Sequence, residues 1–177
     1  MGEMILQVKH LSKSFGAHIV LRDIHFTVNK GDVTSIIGAS GCGKSTIFRL
    51  INGLEKLQQG EITVDGKPIG ELKQYSAFMP QKDLLFPWRT IEQNICLPME
   101  LAGVEKKEQE TRCKEVLEQV GLLDYLKKYP KDLSGGMKQR VSFARTLLSG
   151  ADMLLLDEPF SALDFLTRVD MQEWLLK

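Results

Sequence analysis

At 177 residues the chain suits one domain and is long enough to bury a core. Its 23 basic and 23 acidic residues cancel, which argues against a basic surface for nucleic acid or for anionic lipid. No apolar run approaches the length of a membrane span and the N-terminus lacks a signal-peptide core, so any membrane contact is expected to run through another protein. The three cysteines, Cys42, Cys96 and Cys113, lack metal-ligand spacing and suit a reducing cytosol without disulfides.

Residues 4–10 alternate weakly and predict a strand, with a turn over 11–16. Residues 18–28 predict a second strand, with Val20, Ile24, Phe26 and Val28 on one parity. Asn29-Lys30-Gly31-Asp32 is a turn signal, and the β-branched run 32–37 predicts a third strand. Next comes Gly38-Ala39-Ser40-Gly41-Cys42-Gly43-Lys44-Ser45-Thr46, which fits G-x-x-x-x-G-K-[ST]. Its glycines let backbone N–H groups converge into an anion nest, and the helix predicted over 44–52 adds the positive end of its dipole. Lys44 supplies a charge for the β- and γ-phosphates, and Ser45 a hydroxyl for Mg²⁺.

Further on, 60–66 and 77–80 read as short strands, the second ending just before Gln81. Helices are predicted over 91–101 and 105–120, the second with Val116, Leu117 and Val120 as its apolar stripe; a short piece follows over 122–129. Leu133-Ser134-Gly135-Gly136-Met137-Lys138-Gln139-Arg140 places a serine and two glycines at the start of a helix running to about 149, a second anion nest. The apolar run 152–156 reads as a buried strand ending in Asp157 and Glu158. A carboxylate there can orient Mg²⁺ and a second can polarise an attacking water. Residues 165–176 are helical by pattern.

With the phosphate loop and the two strand-end carboxylates, residues 133–140 closely resemble the signature motif of ATP-binding cassette (ABC) proteins, and the resemblance covers nearly the whole chain. It implies an α/β P-loop NTPase fold: a RecA-like core with an antiparallel β subdomain and a helical insertion at roughly 82–133, all within one ATP-binding domain over 1–177. It places Phe15 where the family stacks adenine, although the family more often has tyrosine there. It places Gln81 at the Q-loop and Ser161-Ala162-Leu163-Asp164 at the D-loop. Gly38, Ser40, Gly41, Cys42, Gly43, Lys44, Ser45 and Thr46 are then the phosphate-binding residues of one copy. Ser134, Gly135 and Gly136 face the γ-phosphate held by the other copy of a head-to-tail pair. Ser45, Gln81 and Asp157 are expected around Mg²⁺; Glu158, Lys44 and Gln81 carry the chemistry, with Glu158 as general base. Met137 stands where the commonest signature has glutamine. Cys42 is otherwise read as a small filler residue, and the charged face of 105–118 as a solvated helix surface.

Leu84-Leu85-Phe86-Pro87-Trp88-Arg89-Thr90 resembles the corresponding segment of importers of the nitrate, sulfonate and taurine type. There an apolar patch beside the Q-loop receives a permease helix; Phe86 and Trp88 equally suit packing inside the helical lobe. The expectation is an ATP-hydrolysing subunit, using ATP and Mg²⁺, that powers import of a small solute. It would sit peripherally on the cytoplasmic face of the inner membrane, held by an integral-membrane permease, with a second ATP-binding subunit, a solute-binding protein served indirectly and no nucleic acid. The family also has a γ-phosphate histidine some thirty residues past the catalytic glutamate. Here the sequence stops nineteen residues after Glu158, and its histidines, His10, His18 and His25, all precede the phosphate loop. On that basis the C-terminal strands are expected to be missing. The chain as given is then expected to bind ATP but to turn it over poorly, and its sheet to lack the strand between the phosphate-loop strand and the strand ending at Asp157. A role in translation or DNA repair is opposed by the single cassette and the lack of a coiled-coil insertion or basic surface.

Overall fold

β1 (Met4–Phe15) and β2 (His18–Asn29) form an antiparallel ribbon, joined at Gly16, whose φ of 57° suits a tight turn. The sequence predicts a turn over 11–16, yet β1 continues through this stretch. Leu11 is fully buried and keeps the strand on the core, while register shifts absorb the polar residues around it. β3 (Gln59–Val64) pairs on the other side of β1, and β4 (Lys67–Pro68) closes the sheet in the order β2-β1-β3-β4. Val8 sits opposite both Phe26 and Ile62 and is buried with Leu6, Ile62 and Val64. Such cross-strand triplets are the unit of sheet stability. This sheet and α1 (Lys44–Ile51) belong to the first of two units, Met1–Ser76 and Ala77–Lys177; the computed structural model describes residues 3–175.

α1 starts and ends within a residue of its predicted span, with Ile47, Leu50 and Ile51 buried as the spacing requires. The strand predicted over 32–37 is absent. Residues 32–39 are irregular, Ile37 is 94% exposed and Val33 68%. β-branched residues favour a strand only when a neighbouring strand takes its hydrogen bonds. Among the described residues none pairs with this run.

In the second unit, β5 (Ser76–Met79) and β6 (Met153–Leu156) form a two-stranded sheet, extended by the Asp157 amide donating to the Met79 carbonyl at 2.9 Å. Met153 and Leu155 are buried while Leu154 and Leu156 are half-buried, so β6 alternates rather than being enclosed on both faces. The remaining elements are helical. The helix predicted over 91–101 is two short ones, α2 (Ile91–Ile95) and α3 (Leu97–Leu101), meeting at Cys96. Pro98 explains the interruption, because it has no N–H to donate back one turn. α4 (Lys106–Gln119) has Leu117 buried as predicted, and Cys113 is buried beside it. Two 3-10 turns, Leu123–Tyr125 and Pro130–Asp132, lead to α5 (Gly135–Leu147).

α5 is buried on most sides. Phe143, with no exposed surface, meets Phe160 edge-to-face at 5.3 Å, the preferred aromatic geometry. α6 (Phe165–Leu175) follows; the predicted helix end at Leu176 lies outside the described residues. Cys96 and Cys113 are free, buried thiols. The hydrogen bond from Cys113 to Cys96, aided by burial, pushes Cys113 above the ordinary thiol range; that bond draws Cys96 below it.

Candidate functional site

The phosphate loop and Phe15 lie in the first unit; Gln81, the strand-end carboxylates and the signature stretch lie in the second. At the start of α1 the loop turns through Gly41 at φ 79° and Gly43 at φ 102°. A Cβ at Gly43 would lie 2.8 Å from Leu21 Cδ2 and 3.0 Å from Val20 Cγ1, so only glycine lets the helix begin against β2. A Cβ at Gly38 would meet Cys42 Sγ at 2.7 Å. No side chain caps α1. Its first N–H groups therefore have no partner within the helix and face outward with the positive dipole end, the arrangement that binds phosphate. Lys44 folds back over the loop, its ammonium donating to the Gly38 carbonyl at 2.8 Å and the Ala39 carbonyl at 2.9 Å. An anion in the nest would compete for that same ammonium.

Phe15, 49% exposed at the end of β1, offers its ring to solvent. Lys13 lies 5.1 Å from the ring centroid. Its ammonium, buried, is fixed by Glu55 at 2.7 Å and the Lys56 carbonyl at 2.9 Å. This support for the aromatic was not legible in the sequence, because Glu55 is distant in the chain.

In the second unit the structure brings Gln81 and Glu158 together: Gln81 Nε2 donates to Glu158 Oε2 at 2.8 Å. That leaves Gln81 Oε1, the atom that a hard cation such as Mg²⁺ prefers. Asp157 is buried, whereas Glu158 is exposed. Glu158 has φ 51°, a left-handed conformation rare outside glycine. Such strain persists where surrounding structure enforces it, and it clusters at working sites. The donor set therefore suits a metal-bound phosphate and a water beside it.

Ser134 N-caps α5, its hydroxyl accepting from the Met137 amide at 3.3 Å. Gly135 has open space around it. Gly136 does not: a Cβ there would lie 3.1 Å from the Ala162 carbonyl oxygen and 3.2 Å from Leu163 Cδ2. The signature stretch and residues 161–164 are thus in close contact. Gln139, 6% exposed, fastens them. Its Nε2 donates to Ser161 Oγ at 2.9 Å and its Oε1 accepts from the Ala162 amide at 2.8 Å. In the sequence Gln139 stands only as a member of the signature stretch, because its partners Ser161 and Ala162 are distant in the chain. Asp164 caps α6, and the Thr167 hydroxyl and amide hold its carboxyl below the ordinary carboxylate range.

The stretch after Gln81 is pinned from two sides. Arg145 of α5 donates to the carbonyls of Asp83 and Leu84, each at 3.0 Å. Asn94, fully buried, accepts from the Phe86 amide at 2.7 Å and donates to the carbonyls of Phe86, Arg89 and Thr90. Held this way, Trp88 is 71% exposed and stands 5.3 Å from the Phe86 ring. Phe86 is half-buried, so one aromatic packs inward and the other outward.

The chain matches the sequence profile of the ABC transporter family over residues 21–161. It is 44% identical over 152 residues to the uncharacterized ABC transporter ATP-binding protein YtlC of Bacillus subtilis (strain 168), covering 86% of this chain and 58% of that protein. It is 46% identical over 168 residues to the aliphatic sulfonates import ATP-binding protein SsuB of Bacillus cereus, covering 95% and 66%. It is 41% identical over 173 residues to the taurine import ATP-binding protein TauB of Escherichia coli O157:H7, covering 98% and 68%. The chain thus spans 58–68% of the length of these relatives. No helix among the described residues is long and apolar enough to cross a membrane. By motif, by profile and by relatives alike, the chain belongs to the ABC transporter family.

Proposed function

We propose that the protein is the ATP-binding and ATP-hydrolysing subunit of an importer for a small solute of the sulfonate class. The observation that carries the nucleotide reading is the uncapped start of α1 beneath a glycine loop, with Lys44 turned across it. The import reading rests on relatives whose names give aliphatic sulfonate and taurine import. Residues 1–177 belong to a single ATP-binding domain, with the helical segment at roughly 82–133 as its insertion.

Phe15 stacks the adenine ring. The amides of Gly41, Gly43, Lys44, Ser45 and Thr46 take the phosphates, with Gly38 and Ser40 shaping the turn and the Lys44 ammonium on the outer phosphates. Ser45, Gln81 Oε1 and Asp157 are the oxygen donors for Mg²⁺, which when bound offsets charge developing on the transferring phosphoryl group. Glu158 takes a proton from the attacking water through its carboxylate, and Gln81 Nε2 fixes that carboxylate. Ser134, Gly135 and Gly136 present a second nest to the nucleotide of a second, head-to-tail subunit. Residues 84–90, with Trp88 outward, dock an integral-membrane permease at the cytoplasmic face of the inner membrane, and a solute-binding protein is served through that permease.

Cys42 provides the test. It is exposed within the loop, whereas Cys96 and Cys113 are buried, so a small alkylating agent reads the loop selectively. Mg-ATP is expected to slow Cys42 alkylation at least about tenfold, the protection given by ten-fold saturation of the site. Mass-spectrometric rates that are equal with and without Mg-ATP would place the nucleotide elsewhere.

A further inference from the structure

We propose that His10, Asp23 and His25 form a binding site for a divalent transition-metal ion of the zinc and copper class, built from residues outside the phosphate loop. The cluster is a product of backbone design. Asp23 and His25 are two apart on β2, and their side chains meet at 2.9 Å. His10 reaches them because the ribbon carries two bulges. Val8 lies opposite Phe26 and Leu11 opposite Ile24, so Lys9 and His10 together oppose the single residue His25. Leu11 lies opposite Ile24 and Lys13 opposite Leu21, so Ser12 alone opposes Arg22 and Asp23.

His10 and Asp23, one from each bulge, both have φ 50° in the left-handed region. The neighbours are fitted to this arrangement. The Asp23 amide donates to Ser12 Oγ at 2.9 Å. On β3, Gly60 has φ 100°, and a Cβ there would lie 2.6 Å from the carbonyl oxygens of both Lys9 and His10. Only glycine allows β3 to pass the bulge. An exposed ion pair returns little stability, so two left-handed residues are a poor exchange for a surface salt link alone. Left-handed residues cluster at ligand clamps and active sites.

The donor geometry fits. His10 Nδ1 and His25 Nε2 each lie 2.9 Å from Asp23 Oδ1, and the three atoms are all within 4.8 Å of one another. Ligands held about 2.0–2.1 Å from a tetrahedral ion are roughly 3.4 Å apart, so Asp23 Oδ1 has to draw back from each imidazole by about half an ångström for one ion to enter. Two imidazoles and a carboxylate, with a fourth position for water, suit zinc, copper or nickel rather than Mg²⁺ or Ca²⁺. Their side chains are 71%, 65% and 43% exposed in the order His10, Asp23, His25, so the ion can enter. The His10 amide donates to His25 Nδ1 at 3.3 Å, which places the ring proton on Nε2. Ligation by Nε2 moves that proton to Nδ1 and gives up this one long hydrogen bond.

The test uses the whole chain, nucleotide-free, titrated with Zn²⁺ alone and followed by calorimetry. One saturable equivalent is expected. His10→Asn, which tolerates the left-handed backbone, and His25→Gln are each expected to weaken binding at least about tenfold, the lower end of the loss seen when a metal's supporting groups are removed. His18→Ala is expected to bind as the wild type does. Circular dichroism of each variant confirms that β structure is retained, and Asp23→Asn provides a third variant of unchanged size. Absence of saturable binding to the wild type overturns the proposal, as does an affinity that survives both histidine substitutions, which would place the ion on Cys42 or another group.

Discussion

In a domain of the length of its relatives, Glu158→Gln is expected to lower steady-state ATP turnover by on the order of 10² to 10⁴ while leaving ATP affinity unchanged. The substitution removes the carboxylate proposed as the general base. It leaves the rest intact, because a glutamine Oε1 can still accept from Gln81 Nε2, which now donates to Glu158 at 2.8 Å. The left-handed backbone at this position, φ 51°, is no harder for glutamine than for glutamate. With binding retained and hydrolysis stopped, the variant is also expected to accumulate as an Mg-ATP-dependent dimer on size-exclusion chromatography. A phosphate-release rate equal to that of the wild type would remove Glu158 from the role of base, and a variant monomeric at saturating Mg-ATP would contradict the head-to-tail pairing.

Asn94→Ala is expected to have the largest effect on stability. Asn94 is fully buried and serves Phe86, Arg89 and Thr90. Some of its partners have alternatives. The Phe86 carbonyl also accepts from the Arg89 amide, and the Thr90 carbonyl from the Asn94 amide. The Phe86 amide and the Arg89 carbonyl would be left without the bonds that Asn94 supplies. At about 1–3 kcal/mol for each unsatisfied group, the cost is about 2–6 kcal/mol. For a chain of this size that lowers the melting temperature by roughly 4–24 °C. Asn94→Asp keeps the acceptor for Phe86 but loses the donors, so it should also destabilise. A shift under about 2 °C for Asn94→Ala, measured calorimetrically, would show that water replaces the side chain. The same substitution should loosen residues 84–90, the segment proposed to dock the permease.

Much of this architecture is legible in the sequence because the signals are local. The glycine-lysine-serine pattern and the spacing of Ile47, Leu50 and Ile51 give α1 almost to the residue. Ser134 gives the start of α5, and the apolar run before Asp157 gives β6. What the sequence misses depends on partners distant in the chain. Residues 32–37 have strand-forming side chains, but a strand also needs a neighbour, and sequence pattern cannot supply one. β1 runs on past His10 because Leu11 is buried and bulges take up the mismatch, and bulges leave no periodic trace. For the candidate site the sequence offers residues, but the links between them leave no local trace. The Gln81–Glu158 bond joins positions 77 residues apart, and Gln139 reaches Ser161 across 22. Lys13 beneath Phe15 depends on Glu55, 42 residues away.

The central claim is that nucleotide is held by the loop before α1, and equilibrium binding of labelled ATP, with Mg²⁺, to the wild type and to Lys44→Ala tests it most directly. Lys44 reaches across the loop to the Gly38 and Ala39 carbonyls. A charge-assisted hydrogen bond of about 1.5–3 kcal/mol corresponds to roughly 10- to 100-fold in affinity. The expected result is saturable binding of one ATP per chain by the wild type and a loss of that size in Lys44→Ala. A wild type without saturable binding, or a variant that binds as tightly, would contradict the account.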